Sequence, residues 1–192
     1  MKNYNKFISL NKNHFSIFLF HGVIKKKINN VRNYNNKHVS EKKFIDFLNF
    51  LKSKGTILSL NEIYFNIKNK INLPKNCYAV TFDDGFENNF SIAAPILLDL
   101  KIPTTFYLST DFIENNSMSW IDKIEFCLEN TAHGSINSPG LLKEFHFFDK
   151  KSKIKLLKII RSKIKNNFKI NLNDFVSDFF DQLNFNMIHK LN

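Results

Sequence analysis

One run of residues, Cys77 to Phe82, narrows the possible folds of this chain more than any other. It reads Cys-Tyr-Ala-Val-Thr-Phe, is apolar and rich in β-forming residues, and ends at Asp83-Asp84-Gly85. An apolar run of this length that does not alternate with polar residues is typical of a strand buried on both faces of a parallel sheet. Such a strand between helices predicts an α/β fold.

The segments on either side of this strand show the alternation of strands and helices that an α/β domain requires. Further strands are predicted at 15–20, 56–58 and 104–109. One helix is predicted to begin after Ser40 and to end at Gly55, and a second to begin at a capping box formed by Ser59 and Glu62. A third is predicted over 88–100, with a late start or a kink at Pro95.

The pattern changes towards the end of the chain. A helix is predicted over 120–128, a loop over the Gly-, Ser- and Pro-containing segment 131–140, and an amphipathic basic helix over 151–165. Asn173 is predicted to cap a final helix. We therefore expect two regions, an α/β region at 1–130 and a mostly helical insertion or appendage at 131–192.

The chain is strongly basic, with a net charge of +11 and a pI of about 9.6. Such a charge favours anionic partners in general. However, the lysines are spread along the whole chain and accompany no nucleic-acid-binding motif. A solvated basic surface explains them better, so no nucleic-acid partner is expected. With 43% hydrophobic residues, the chain is expected to fold around a core.

The cysteines and the N-terminal region bear on the cellular compartment. The two cysteines, Cys77 and Cys127, fit neither a metal motif nor a disulfide framework, which suits a reducing compartment. The longest apolar run near the N-terminus, Phe15 to Phe20, is too short for a signal-peptide core or a membrane span. The sequence thus predicts a cytoplasmic or peripherally bound protein with no signal peptide and no transmembrane segment.

The adjacent carboxylates Asp83 and Asp84 are the main candidate site. Two such groups at the mouth of a buried strand are costly unless their charge is compensated, and a divalent metal ion can do so. One carboxylate can then bind the metal while the other takes a proton from water. Gly85 lets the backbone turn sharply there. An ordinary turn explains the same three residues, so the motif alone leaves both interpretations open.

The segment Thr81-Phe82-Asp83-Asp84-Gly85 resembles the first motif of the polysaccharide deacetylase family, the NodB-homology carbohydrate esterases. Residues 19–23, Leu-Phe-His-Gly-Val, resemble the first strand of many members. Ala94-Pro95-Ile96-Leu97 and the segment 102–106, Ile-Pro-Thr-Thr-Phe, resemble the segments that follow the motif. The Trp120-Ile-Asp122 helix resembles that of one subgroup. The resemblance covers about 15–130.

The resemblance implies part of a deformed β/α barrel with a helical insertion towards the C-terminus. It also implies a metal-dependent hydrolase that removes acetyl groups from a polysaccharide or glycan, acting on carbon–nitrogen bonds other than peptide bonds. Carried over to this sequence, Asp83 is the general base and Asp84 the ligand of a divalent metal, most often zinc. His21 has a supporting role near the site.

The histidines depart from the family pattern. The family's second motif supplies two metal-binding histidines about four residues apart, and no pair here has that spacing; the six are His14, His21, His38, His133, His146 and His189. The resemblance therefore predicts a truncated or split enzyme whose site a second chain could complete. The alternative is a non-catalytic protein of the same fold that binds glycans or assembles with partners.

Overall fold

The structure is a computed structural model that describes residues 11–26, 30–138, 142–166 and 169–186. The chain divides into two compact units. Unit 1 consists of Met1–Lys27 and Asn36–Ser117, and unit 2 of Ile28–Asn35 and Met118–Asn192. The predicted division at residue 130 marks where the family resemblance becomes loose, and it stays a prediction.

Unit 1 combines short strands with helices. Its described strands are β1 (Phe15–Phe20), β2 (Gly22–Ile24), β3 (His38–Ser40), β4 (Thr56–Ile57), β5 (Cys77–Phe82) and β6 (Thr104–Phe106). Its described helices are α1 (Glu41–Lys54), α2 (Leu60–Lys68), α3 (Ala94–Asp99) and α4 (Thr110–Glu114), with a π-helical turn at Asn89–Ala93 before α3. This mixed composition confirms the predicted α/β class.

Strand β5 is the centre of the main sheet, and all six of its residues are buried. It pairs in parallel with β1 along its full length, from Phe15 opposite Cys77 to Phe20 opposite Phe82. On its other side it pairs with β4 at its first two residues and with β6 at its last three, again in parallel. The prediction of a parallel strand buried on both faces is therefore confirmed. The four described strands of this sheet leave it open, and they do not close into a barrel.

The core of unit 1 is dominated by phenylalanines on β1, β5, β6 and α1. Phe82 is fully buried and its ring is stacked on those of Phe20 and Phe106, at centroid distances of 5.4 and 5.1 Å. The ring of Phe44, from α1, meets Phe82 edge-on at 5.7 Å. These rings bury a large apolar area directly beneath the carboxyl end of β5.

Of the two helix caps predicted in unit 1, only one forms its side-chain hydrogen bonds. Ser59 forms the predicted capping box, in which its hydroxyl accepts from the Glu62 N–H at 3.1 Å and its own N–H donates to the Glu62 carboxylate at 2.8 Å. Ser40 occupies the N-cap of α1 but its side chain makes no capping hydrogen bond. Pro95 lies in the first turn of α3, where its missing N–H is tolerated. The residues before it are already helical, with a π-helical turn at Asn89–Ala93, so the helix does not start late and its irregularity is this π-helical turn.

Unit 2 contains three described helices and a hairpin. In chain order, these elements are helix α5 (Trp120–Asn130), the hairpin strands β7 (Gly134–Ser138) and β8 (Leu142–Phe147), and helices α6 (Lys150–Lys165) and α7 (Leu172–Gln182). The prediction of a loop over 131–140 is wrong, because Gly134–Ser138 forms a strand that pairs with β8 in the antiparallel direction. Burial of Ile136 and Phe147 outweighs the turn-forming composition of this segment. Pro139 and Gly140 lie outside the described residues.

The helices of unit 2 pack around one core. Leu156, Leu157 and Ile160 of α6 are fully buried in it, so one face of this basic helix is a packing face. The cap of α7 is Asn171 rather than the predicted Asn173: its side-chain oxygen accepts from the N–H groups of Asn173 and Asp174, at 3.0 and 3.4 Å. None of the described helices is long and apolar enough to cross a membrane.

Both cysteines are fully buried, each in its own unit. Cys77 begins β5, and Cys127 lies on α5 with its sulfur 4.0 Å from the Thr131 hydroxyl. Burial raises the pKa of both thiols, and it raises that of Cys127 to about 12 in spite of the contact with Thr131. Little thiolate, the reactive form, is therefore present in the folded protein near neutral pH.

A buried carboxylate on α5 accepts hydrogen bonds from two other segments of unit 2. Glu125 is 5% exposed, and its carboxylate accepts from the Arg161 guanidinium at 3.0 Å and from the Asn33 N–H at 3.1 Å. One turn later, the Glu129 carboxylate accepts from the Val31 N–H at 2.7 Å. Burial raises the pKa of Glu125, although the hydrogen bonds from Asn33 and Arg161 oppose the rise.

The raised pKa of Glu125 predicts a measurable dependence of stability on pH. Because the folded state holds this proton more tightly than the unfolded state, the contribution of Glu125 is most favourable below the ordinary glutamate pKa, about 4.3. It then falls as pH rises through the raised folded pKa. Glutamine at position 125 never ionises. Glu125→Gln is therefore expected to remove the fall in unfolding free energy that Glu125 causes as the pH rises from 4 to 7.

The matched control for this experiment is Glu129→Gln, since both residues are on α5 and both accept from a backbone N–H of the segment 31–33. Urea unfolding at a series of pH values measures the slope for each variant. The explanation is wrong if the two variants change the slope equally, or if Glu125→Gln makes it steeper.

Candidate functional site

The candidate site lies at the carboxyl end of β5, where three neighbouring strands end together. The N–H of Asp83 donates to the carbonyl of Phe20, the last residue of β1, at 2.9 Å. On the other side, the N–H of Tyr107, just after β6, donates to the carbonyl of Phe82 at 2.8 Å. The backbone of Asp83 is thus held between β1 and β6, and the carboxyl ends of parallel strands are where α/β proteins place their chemistry.

The backbone leaves the sheet through two consecutive left-handed residues, Asp84 with a φ of 75° and Gly85 with a φ of 74°. Glycine adopts this conformation without cost, and aspartate is among the few other residues that tolerate it. The turn is fixed by the Ser109 N–H, which donates to the carbonyl of Asp84 at 3.2 Å. Several other residues in turns share this conformation, so the backbone alone does not separate a functional role of Asp84 from that of an ordinary turn.

The carboxylate of Asp84 is paired with a lysine from the segment before β3. The Lys37 ammonium lies 3.3 Å from Asp84 Oδ2, with side-chain exposures of 16% for Lys37 and 33% for Asp84. The same ammonium lies 4.2 Å from the centre of the Phe86 ring. A cation that contacts both a carboxylate and an aromatic face is held in place more firmly than a surface lysine in water.

A second polar pair lies beside Phe86. His38 Nδ1 is 3.0 Å from the amide nitrogen of Asn88, and the His38 ring meets the Phe86 ring edge-on at 4.8 Å. Gly22 makes this arrangement possible, because a Cβ there would overlap the His38 ring and the Asn88 side chain. The parallel pairing of β2 with β3 sets Gly22 opposite His38.

His21 joins this end of the sheet through its backbone. With the Asn89 amide oriented so that both of its polar atoms are satisfied, its nitrogen donates to the His21 carbonyl at 2.9 Å and its oxygen accepts from the Phe86 N–H at 3.3 Å. Asn89 is 4% exposed, so these bonds satisfy a buried amide. The structure thus joins the His21 backbone to Asn89, whose side chain also bonds to Phe86, the residue after Gly85. The supporting role predicted for its side chain stays a prediction.

The described donors do not fit a metal ion by themselves. A catalytic zinc site generally needs three protein ligands. Among residues 11–26, 30–138, 142–166 and 169–186, no group of three or more His, Cys, Asp or Glu side chains could hold a metal. In addition, one oxygen of Asp84 already contacts the Lys37 ammonium. The role of Asp84 as a metal ligand therefore stays a prediction.

Sequence reasoning missed Lys37, His38 and Asn88. The sequence of segment 25–37 predicts a polar loop, and nothing in it distinguishes Lys37 from the other lysines of the segment. Strand β3 has only three residues, too few for a periodic pattern. The one available signal was Gly22, since a glycine in or beside a strand can mark the close approach of another segment.

One family model matches part of this chain. Residues 70–146 match the family model for polysaccharide deacetylase. Among solved structures, the chain is similar to a de-N-acetylase from Aggregatibacter actinomycetemcomitans, with 17% identity and a TM-score of 0.41 over 77% of this chain. The chain spans about half of that protein, 51% of its length. No curated protein matches the chain. The recognition of a partial polysaccharide deacetylase sequence is confirmed.

Proposed function

We propose that this chain, which carries a partial polysaccharide deacetylase sequence at residues 70–146, acts as a carbohydrate deacetylase. In the proposed reaction water cleaves an acetyl group from an amino sugar of a glycan. The observation that carries the proposal is the position of Asp83 and Asp84, which lie inside the matched segment and directly follow its buried central strand.

The proposed reaction is the hydrolysis of an N-acetyl group. A water molecule adds to the acetyl carbonyl carbon, Asp83 takes the proton from that water, and the carbon–nitrogen bond then breaks. Acetate leaves, and the sugar nitrogen takes up a proton to become an amine. A carboxylate suits the role of base because it accepts a proton and returns it within one cycle.

The positions of Asp83 and Asp84 support different roles for the two residues. The backbone of Asp83 is hydrogen-bonded to β1, which holds the residue at the sheet edge. Asp84 instead pairs with Lys37, so its negative charge is balanced by the protein. Of the two, Asp83 is the better proposed base, because the carboxylate of Asp84 is already in contact with the Lys37 ammonium.

The open sheet of unit 1 is consistent with part of a larger β/α structure. Its strands are parallel and its central strand is buried, as in α/β barrels. We propose that this sheet is a portion of the deformed barrel that the resemblance implies.

Acetate release from acetylated sugar oligomers tests this function. The purified chain is incubated with an N-acetylglucosamine oligomer and, separately, with an O-acetylated xylan oligomer, and acetate and free amine are quantified. Equal amounts of acetate and amine from the first substrate are expected. Failure to release acetate from either oligomer would overturn the proposal, and oligomer binding without release would favour the non-catalytic glycan-binding alternative.

A further inference from the structure

Lys37 is held beside Asp84 by two independent contacts. Its ammonium lies 3.3 Å from Asp84 Oδ2 and 4.2 Å from the centre of the Phe86 ring, and 16% of its side chain is exposed. The adjoining residue, His38, begins β3, whose pairing with β2 limits how far the backbone of Lys37 can move away. The position of this positive charge is therefore set by the fold of unit 1.

The ammonium already contacts this carboxylate oxygen, so any other cation that bound there would meet a like charge. A lysine ammonium is a compact point charge, so it neutralises a carboxylate in much the same way as a small metal ion does. A divalent ion that bound Asp84 Oδ2 would have to displace Lys37 or accept a like charge within a few ångströms. Asp84 is only partly exposed, so water screens this repulsion less than it would on an open surface.

We propose that Lys37 is the built-in cation of the Asp84 carboxylate and that it competes with divalent metal ions for this oxygen. The proposal concerns the site rather than the reaction, so it does not depend on deacetylase activity. It deepens the interpretation of Asp84, because the described residues do not fit a metal ion and the internal ammonium supplies the balancing charge instead. The chain as it stands binds divalent ions weakly at this position, and removal of the lysine charge strengthens the binding.

Binding of Mn²⁺ to the purified chain tests this proposal without any measurement of activity. Mn²⁺ prefers carboxylate and water oxygens, and its free aqueous form is counted directly by electron paramagnetic resonance. Lys37→Met keeps most of the side-chain length and removes the charge. We expect Lys37→Met to bind Mn²⁺ about tenfold more tightly than the wild type, which corresponds to one modest charge interaction.

Two controls separate the local charge from other effects. Lys75→Met removes the same charge from an exposed residue before the other end of β5, and it is expected to leave Mn²⁺ binding unchanged. Lys37→Arg retains a positive charge and is expected to bind as weakly as the wild type. Thermal unfolding of each variant shows whether the fold is retained.

A double variant shows whether Asp84 is the responsible ligand. Adding Asp84→Asn to Lys37→Met is expected to abolish the gain in affinity, and asparagine tolerates the left-handed backbone of this position. The proposal is overturned if Lys37→Met binds Mn²⁺ no more tightly than the wild type, if Lys37→Arg shows the same gain, or if the gain survives Asp84→Asn. None of these outcomes is affected by whether acetate is released from a glycan.

Discussion

Asp83→Asn is expected to lower the rate of acetate release by about two to four orders of magnitude, the usual contribution of a positioned general base. Asparagine has nearly the same shape as aspartate but cannot take the proton of the attacking water. The backbone N–H of residue 83 still donates to the Phe20 carbonyl, so the strand ends are expected to stay in place. Initial rates of acetate formation from an N-acetylglucosamine oligomer measure the effect.

The matched control for this variant is Asp99→Asn, which makes the same chemical change at an exposed position at the end of α3. Its rate is expected to equal that of the wild type. Circular dichroism and the unfolding midpoint show whether Asp83→Asn remains folded. A folded Asp83→Asn protein that retains the full rate would exclude Asp83 as the base.

Phe82→Ala is expected to reduce the free energy of unfolding by about 3–5 kcal/mol, the usual range for truncation of a buried phenylalanine. Phe82 is fully buried, and its ring is in contact with those of Phe20, Phe44 and Phe106. Alanine in its place leaves a cavity and removes three aromatic contacts. Since Asp83 is the next residue, we also expect lower activity in any Phe82→Ala protein that still folds.

Urea unfolding of Phe82→Ala is best compared with that of Phe90→Ala. Phe90 is 84% exposed, so the same truncation removes little buried area there and is expected to change the unfolding free energy by no more than about 0.5 kcal/mol. Similar losses for the two variants would show that Phe82 does not anchor the core beneath the candidate site.

The central strand and its neighbours could be predicted from sequence because their signals are local. The run from Cys77 to Phe82 is apolar except for Thr81 and is followed by turn-forming residues, and β1 is apolar except for Ser16. The β7–β8 hairpin could not be predicted in this way. Gly134 and Ser135 favour turns, and only the pairing of the segment with β8, which buries Ile136 and Phe147, makes it a strand.

The same contrast applies to the candidate site. Asp83 and Asp84 could be found because they are adjacent in sequence and directly follow a recognisable strand. Lys37 lies 47 positions before Asp84, and its importance arises only from a distance of 3.3 Å in the folded chain. No composition or periodicity encodes such a contact, because the side chain looks like any other lysine in a polar segment.

The burial of both cysteines has a practical consequence for spectroscopy. Cys77 and Cys127 are the only cysteines of the chain, and both are buried with raised pKa values. A maleimide dye would therefore react slowly with the native thiols and rapidly with a new one on the surface. Lys75→Cys provides such a position without removal of the native cysteines, so a fluorophore can be attached at the end of β5 opposite to Asp83.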